Sequence, residues 1–288
     1  MGPGLAMAAV GAVAFSGKAI IIKLAYRHGV DAVTLIMWRM LLALPLFVLL
    51  AWWAGRGRPP LTRRDWLAVV GLGFSGYYLA SSLDFLGLQY ISASLERLIL
   101  YLNPTLVLLM GLLLGQRVSA RQALSLAVSY AGVLLVFAHE VRFEGLQTLI
   151  GAGLVFASTV SYALYMTFSG QVVRRIGSLR LTGLATSVAC VLCLLQFALL
   201  RPLEAAWVPV PVLWLSLLNA VACTFAPVLL VMMAIERIGA AATAQTGMIG
   251  PLATIAMGVL ILGEPMNAWV GAGTLLVLAG ITMLARAR

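Results

Sequence analysis

The sequence predicts an all-α integral membrane protein, with ten transmembrane helices arranged as two inverted five-helix repeats around a central cavity. Composition is the first of three observations behind that reading. Hydrophobic residues make up 62% of the chain, charged residues 10%, and the mean hydropathy is +1.05. A soluble domain would carry roughly 25% charge. The second observation is an internal repeat, in which residues 91–132 return as 238–280. Ile91 and Ala93 match Ile238 and Ala240, Pro104 matches Pro251, and Met110-Gly111 matches Met257-Gly258, at a separation of 147 (251 − 104). Further on the separation is 148, with Leu114-Gly115 matching Leu262-Gly263 and Ala131-Gly132 matching Ala279-Gly280. The third is the span count: five apolar runs per copy is odd, so the second copy enters the bilayer in the opposite sense.

Each span needs about 20 apolar residues to cross the hydrocarbon. The runs that satisfy this are 4–25, 32–54, 66–90, 92–114 and 120–138 in the first copy. Those of the second copy are 147–169, 180–200, 211–235, 240–262 and 267–285. They are long and lack the alternation of a barrel strand, so helices are expected. Short punctuated linkers separate them: Gly55-Arg56-Gly57-Arg58-Pro59-Pro60, Arg201-Pro202 and Gly263-Glu264-Pro265. The repeats are residues 1–140 and 141–288, expected to form one structural unit. The first apolar run is too long for a signal-peptide core, so none is expected to be cleaved.

Charge sets the expected orientation. Arg56, Arg58, Arg63, Arg64, Arg117, Arg121, Arg174, Arg175, Arg180, Arg237, Arg286 and Arg288 fall on one side if the N-terminus is inside. Lys23, Arg27, Arg142 and Arg201 fall on the other. This bias predicts both termini in the cytoplasm. The net charge of +10 is then an orientation signal. It is dispersed over many connections, which argues against a nucleic-acid surface.

Charges within spans are costly unless paired or wetted. Lys18, Arg39, Asp84, Glu96 and Arg97 are therefore the first site candidates, all expected in the outer half of the membrane. They can neutralise one another around a wet vestibule. Alternatively Asp84 or Glu96 takes up a proton, or one of the charges meets a substrate's amino or carboxylate group. A second set is polar or aromatic: Tyr78, Ser82, Tyr101, Asn103, Trp214, Asn219, Thr224, Gln245 and Met248. Each could contact a substrate or glue helices together, and together they suit a mostly apolar small-ligand cavity. Pro104 and Pro251 remove a ladder hydrogen bond at corresponding depths. With Gly247 and Gly250 they are the hinge candidates.

The pattern ending in Lys23-Leu24-Ala25, Arg39 in the second span, and Pro251 followed by Leu262-Gly263-Glu264 resembles the drug/metabolite transporter superfamily, in particular its EamA-type members. In the first copy the pattern reads Pro104 followed by Leu114-Gly115-Gln116, with Gln in place of the usual Glu. Phe15-Ser16 stands where Trp-Gly is customary. The resemblance covers nearly the whole chain. It implies ten helices in two inverted repeats, a cavity lined by spans 3, 4, 8 and 9, and export of amino acids or other metabolites.

Several motifs carry less. Cys190 and Cys193 have metal-pair spacing but lie in an apolar span, and Cys223 lies in another, so inert buried thiols are expected. Gly111 and Gly115 suit close helix packing, which leaves both a monomer and a homodimer open. His28 and His139 fall in outer loops. No phosphate-binding glycine loop is present, so ATP-driven transport by this chain is not expected. No catalytic constellation or metal-ligand set is seen, and no cofactor is expected. The sequence therefore predicts a secondary carrier in the bacterial inner membrane, with amino acids as the leading substrates and a proton as the candidate coupling ion. Carriers of nucleotide sugars, bases or drugs are the alternatives, ahead of a channel or membrane enzyme.

Overall fold

The computed structural model describes residues 2–100, scattered positions from 102 to 138, 145–231, 233, 234 and 237, 249–264 and 267–286. Among the described residues every regular element is helical. In chain order these are α1 (Gly2–Tyr26), α2 (Ala32–Gly55), α3 (Arg63–Gly87), α4 (Ala93–Leu100), α5 (Leu146–Ile176), α6 (Ser178–Leu200), α7 (Val210–Val231), α8 (Ile249–Met257, continued by Gly258–Leu262) and α9 (Ala268–Arg286). Six of them are long and apolar enough to cross a membrane: α1, α2, α3, α5 up to Ser169, α6 and α7. They match predicted spans 1, 2, 3, 6, 7 and 8. Span 5, most of span 4 and the first part of span 9 lie largely outside the described residues.

Local chemistry explains where the helices start and stop. Asp31 caps α2, its carboxylate accepting from Val33 N at 2.9 Å and Thr34 Oγ1 at 2.6 Å. Thr62 and Asp65 form a reciprocal capping box at the start of α3, which satisfies donors that a helix start leaves open. Predicted span 6 ends at 169, as the membrane-length part of α5 does, and the helix itself runs on to Ile176. Arg175 in the added turns pairs with Asp65, so the charges that seemed to mark a loop are tolerated on the helix. The turn from α5 to α6 is then a single residue, Gly177, at φ +85°, a backbone that disfavours side chains with a Cβ.

Three of the described helices contain a π-helical turn: Phe74–Leu79 in α3, Val221–Phe225 in α7 and Gly258–Leu262 at the end of α8. The first two begin 147 residues apart (221 − 74), the separation of the sequence repeat. Such turns insert an extra residue into the helical ladder and often mark functional sites. Among the described helices, packing is most extensive between α2 and α6. A Cβ on Gly183 would lie 2.7 Å from the backbone nitrogen of Ala51, so glycine there lets the two backbones approach.

Candidate functional site

The charges scattered over 80 residues of sequence (18 to 97) divide into two neighbouring groups. Lys18 on α1 donates to Asp84 Oδ2 on α3 at 2.6 Å, and its Nζ lies 3.5 Å from Glu96 Oε1 on α4. Arg97 Nε stands 4.0 Å from Glu96 Oε2, and Arg97 Nη2 donates to the Phe15 carbonyl at 3.4 Å. All four residues are buried, Glu96 completely. Ion pairs deep in a low-dielectric setting hold only if each charge is compensated. One ammonium serves two carboxylates here, and neither Glu96 oxygen has a hydrogen-bond partner. A buried acceptor left in that state asks for an explanation. The sequence suggested that these charges neutralise one another around a wet vestibule; in the structure they lie close together and buried.

Arg39 on α2 stands apart from this cluster. Its Nε donates to Thr224 Oγ1 at 3.0 Å, and the Thr224 hydroxyl donates to the Asn219 carbonyl at 2.8 Å. Its guanidinium lies over the Phe85 ring, 5.1 Å from the centroid. Among the described residues no carboxylate comes within ion-pair distance of it, and its buried Nη1 has no hydrogen-bond partner. Thr224 sits in the π turn of α7, which re-aims the helix face that meets Arg39. Asn219 is buried one turn earlier, with both side-chain amide atoms unpartnered.

The other candidates are placed less uniformly. Ser82 Oγ is 3.3 Å from Gln196 Oε1, joining α3 to α6. Tyr78 is half-buried against the core, its ring 5.5 Å from that of Phe74. Asn103 is partly exposed. Trp214 is 66% exposed, so its indole faces the surroundings of the bundle instead of the ion cluster. Gly250 lies at the start of α8, where its carbonyl is 2.8 Å from the Ser16 hydroxyl and 3.3 Å from that of Thr254. The serine that replaces a customary glycine thus tethers α1 beside the proline of α8. The backbone of Pro251 is helical. Tyr101, Pro104, Gln245, Gly247 and Met248 lie outside the described residues.

Two groupings were not anticipated. Glu264 follows Gly263, whose φ of +73° ends α8. Its carboxylate accepts from Ala93 N at 2.8 Å, Ser94 N at 3.3 Å and Ser94 Oγ at 2.7 Å. A carboxylate from the second copy thereby caps α4 of the first, the favourable placement for an anion. The clue in the sequence was the acidic residue itself, directly after the end of an apolar span. The second grouping is phenolic. Tyr77 and Tyr165 hydroxyls lie 3.2 Å apart, and the Tyr162 ring stacks on Tyr165 at 5.6 Å. Thr182 and Thr186 of α6 are buried nearby. Gly76 makes room, because a Cβ there would collide with the Tyr165 side chain.

The model of the EamA-like transporter family matches the chain twice, over residues 2–138 and 149–286. The chain belongs to the EamA-like transporter family. The transporter is similar over most of its length to the Uncharacterized transporter YcbK of Bacillus subtilis (strain 168), 31% identical over 268 residues that cover 90% of this chain and 85% of that protein. An Uncharacterized transporter of Archaeoglobus fulgidus is 27% identical over 187 residues, covering 65% of this chain and 63% of its own. A solved crystal structure superposes with a TM-score of 0.64 at 17% identity, covering 99% of this chain and 98% of that one; at this identity the likeness speaks for the fold alone. The protein is therefore a membrane transporter, and a small-molecule substrate follows from the family.

Proposed function

We propose that the transporter is a secondary carrier exporting small amphiphilic metabolites, first among them amino acids with apolar or aromatic side chains. It works by alternating access between two inverted five-helix repeats, residues 1–140 and 141–288, in a bacterial inner membrane with both termini cytoplasmic. The double family match and the π turns 147 residues apart support that organisation. Tyr78, Ser82, Tyr101, Asn103, Asn219, Thr224, Gln245 and Met248 are the cavity candidates, and Trp214 belongs to the outer surface in this conformation. Pro104, Pro251, Gly247 and Gly250 serve as hinges, since weak points at corresponding depths let both halves rearrange.

One observation carries the substrate class: Arg39 is a buried cation with no carboxylate partner among the described residues. A substrate carboxylate would satisfy its free edge with charge-assisted hydrogen bonds and remove the cost of an uncompensated charge. The Lys18, Asp84, Glu96 and Arg97 cluster can then supply coupling, because one carboxylate can take a proton while the other keeps the ammonium. Counterflow of labelled amino acids in proteoliposomes tests this reading. Saturable exchange with amino acids, and much weaker exchange with the matching decarboxylated amines, is the expected result. Equal exchange of acids and amines would remove Arg39 from recognition. No exchange by folded protein would turn attention to nucleotide sugars, bases and drugs.

A further inference from the structure

At the end of α2 the chain leaves the bundle through Arg56 and Arg58, and α6 starts beside them with Arg180 in its first turn. The three arginines, with Trp53, Gly177 and Ser178, line a cavity of about 320 Å³. The Arg56 guanidinium carbon stands over the Trp52 ring, 3.7 Å from its centroid. Arg180 Nη1 donates to the Pro59 carbonyl at 3.0 Å. Arg58 packs over Gly177, its Nη1 only 3.3 Å from where a Cβ would stand. Each guanidinium is thus positioned by a neutral group. No carboxylate lines the cavity, and none of the three arginines takes part in an ion pair among the described residues. Three like charges converge on one space without a counter-anion. The start of α6 adds to that field, because Gly177 offers no side-chain cap and the first amides of a helix attract anions.

A second, larger space adjoins this one. A groove of about 600 Å³ is lined by Val48, Ala51 and Trp52 of α2 and by Arg180, Leu184 and Ser187 of α6. Arg180 belongs to both spaces. From residue 180 to 187 the groove follows the helix for about 10 Å at helical rise, away from the arginines and into the apolar depth of the pair. Trp52 and Trp53 are both more than half exposed, and exposed tryptophan favours the level of the lipid headgroups.

We propose that this end of the α2–α6 pair is a binding site for one anionic phospholipid, the phosphate held by Arg56, Arg58 and Arg180 and an acyl chain laid in the groove toward Ser187. The charged cavity alone would suit any phosphate, and the continuous apolar groove selects a lipid. The site is separate from the Lys18 and Arg39 groups and does not depend on which substrate is carried.

The test uses the full chain in mild detergent, with lipid retention counted by native mass spectrometry. Phosphatidylglycerol is expected to be retained over phosphatidylcholine. The Arg56→Ala/Arg58→Ala variant, altered only at exposed positions, should lose retention on the order of tenfold, as two basic contacts to an anionic headgroup are worth. Ser187→Trp fills the groove and leaves the arginines alone. It should weaken binding of long-chain phosphatidylglycerol but spare the six-carbon-chain form. Equal retention of the two headgroups, or unchanged retention in the double arginine variant, overturns the site. Displacement of the lipid by millimolar inorganic phosphate makes it a soluble-anion site and overturns the lipid assignment.

Discussion

Lys18 and Arg39 stand 147 residues before Tyr165 and Thr186, and Thr224 stands 147 after Tyr77. Each trio is drawn from corresponding helices, α1, α2 and α7 in one case and α5, α6 and α3 in the other, and each takes one member from a π turn. The contents differ. In the first, an ammonium holds two carboxylates while a guanidinium donates to a threonine. In the second, two phenols meet across 3.2 Å with threonines beside them. Every donor of the phenolic group is neutral, so it gains packing and a modest hydrogen bond without the cost of buried charge. The ionic group is held together only by mutual compensation. The comparison teaches that equivalent positions in the two copies need share only shape; charge was placed in one of them, where Arg39 and Glu96 remain incompletely satisfied.

The sharpest way to break the comparison is to remove the central partner on each side. Lys18→Met leaves Asp84 and Glu96 as buried carboxylates without their shared cation and is expected to cost about 3–5 kcal/mol. Tyr165→Phe, at the matching position, removes one neutral hydrogen bond and is expected to cost about 1 kcal/mol. Thermal unfolding of both variants in detergent checks the contrast, and equal losses would show that charge is not what distinguishes the clusters.

Next in size is Arg39→Gln. Losing a charge-assisted hydrogen bond of about 1.5–3 kcal/mol should raise KM for a carboxylate-bearing substrate about tenfold to a hundredfold in counterflow. Tyr77→Phe should leave KM alone. Glu96→Gln tests coupling: stimulation by a proton gradient should fall on the order of tenfold, within the usual range of coupling free energies. Exchange without a gradient should persist. Gradient stimulation that survives in both Glu96→Gln and Asp84→Asn would remove this cluster from proton coupling.

The smallest effect concerns Asp31, outside both clusters. Partial burial pushes its carboxyl upward. The Thr34 hydroxyl and amide and the Arg201 guanidinium at 3.1 Å outweigh that and hold it below the usual range. A carboxylate with a depressed pKa stabilises the fold above its unfolded value of about 4 and loses that contribution as pH falls through the folded value. Asp31→Asn should therefore lower Tm by a degree or two at neutral pH and by less in acid, read by unfolding at several pH values.

Much of the architecture could be read along the chain. Hydropathy located all six of the described membrane-length helices, and the Pro104 and Pro251 match anticipated the double family match. The reading stopped short where a distant partner or the direction of a side chain decides. Span 6 ends where the membrane-length part of α5 ends, but the helix itself continues to Ile176, and Arg175 in that extension pairs with Asp65. The π turns escaped notice because an inserted residue changes neither composition nor hydropathy. Trp214, grouped with the lining residues by type, faces outward, since a polar or aromatic side chain does not announce its side of the helix.

Sequence by itself determined that the chain lies in a membrane, that its helices come in two related sets, and that five charges had to be accounted for inside it. Those conclusions rest on transfer costs, which accumulate residue by residue whatever the fold. Tertiary structure alone decided that Lys18 is shared by Asp84 and Glu96, that Arg39 is left to a threonine, and that Glu264 caps a helix of the other copy. Pairing depends on distances of a few ångströms between groups as far as 185 residues apart, and only packed helices bring them within reach.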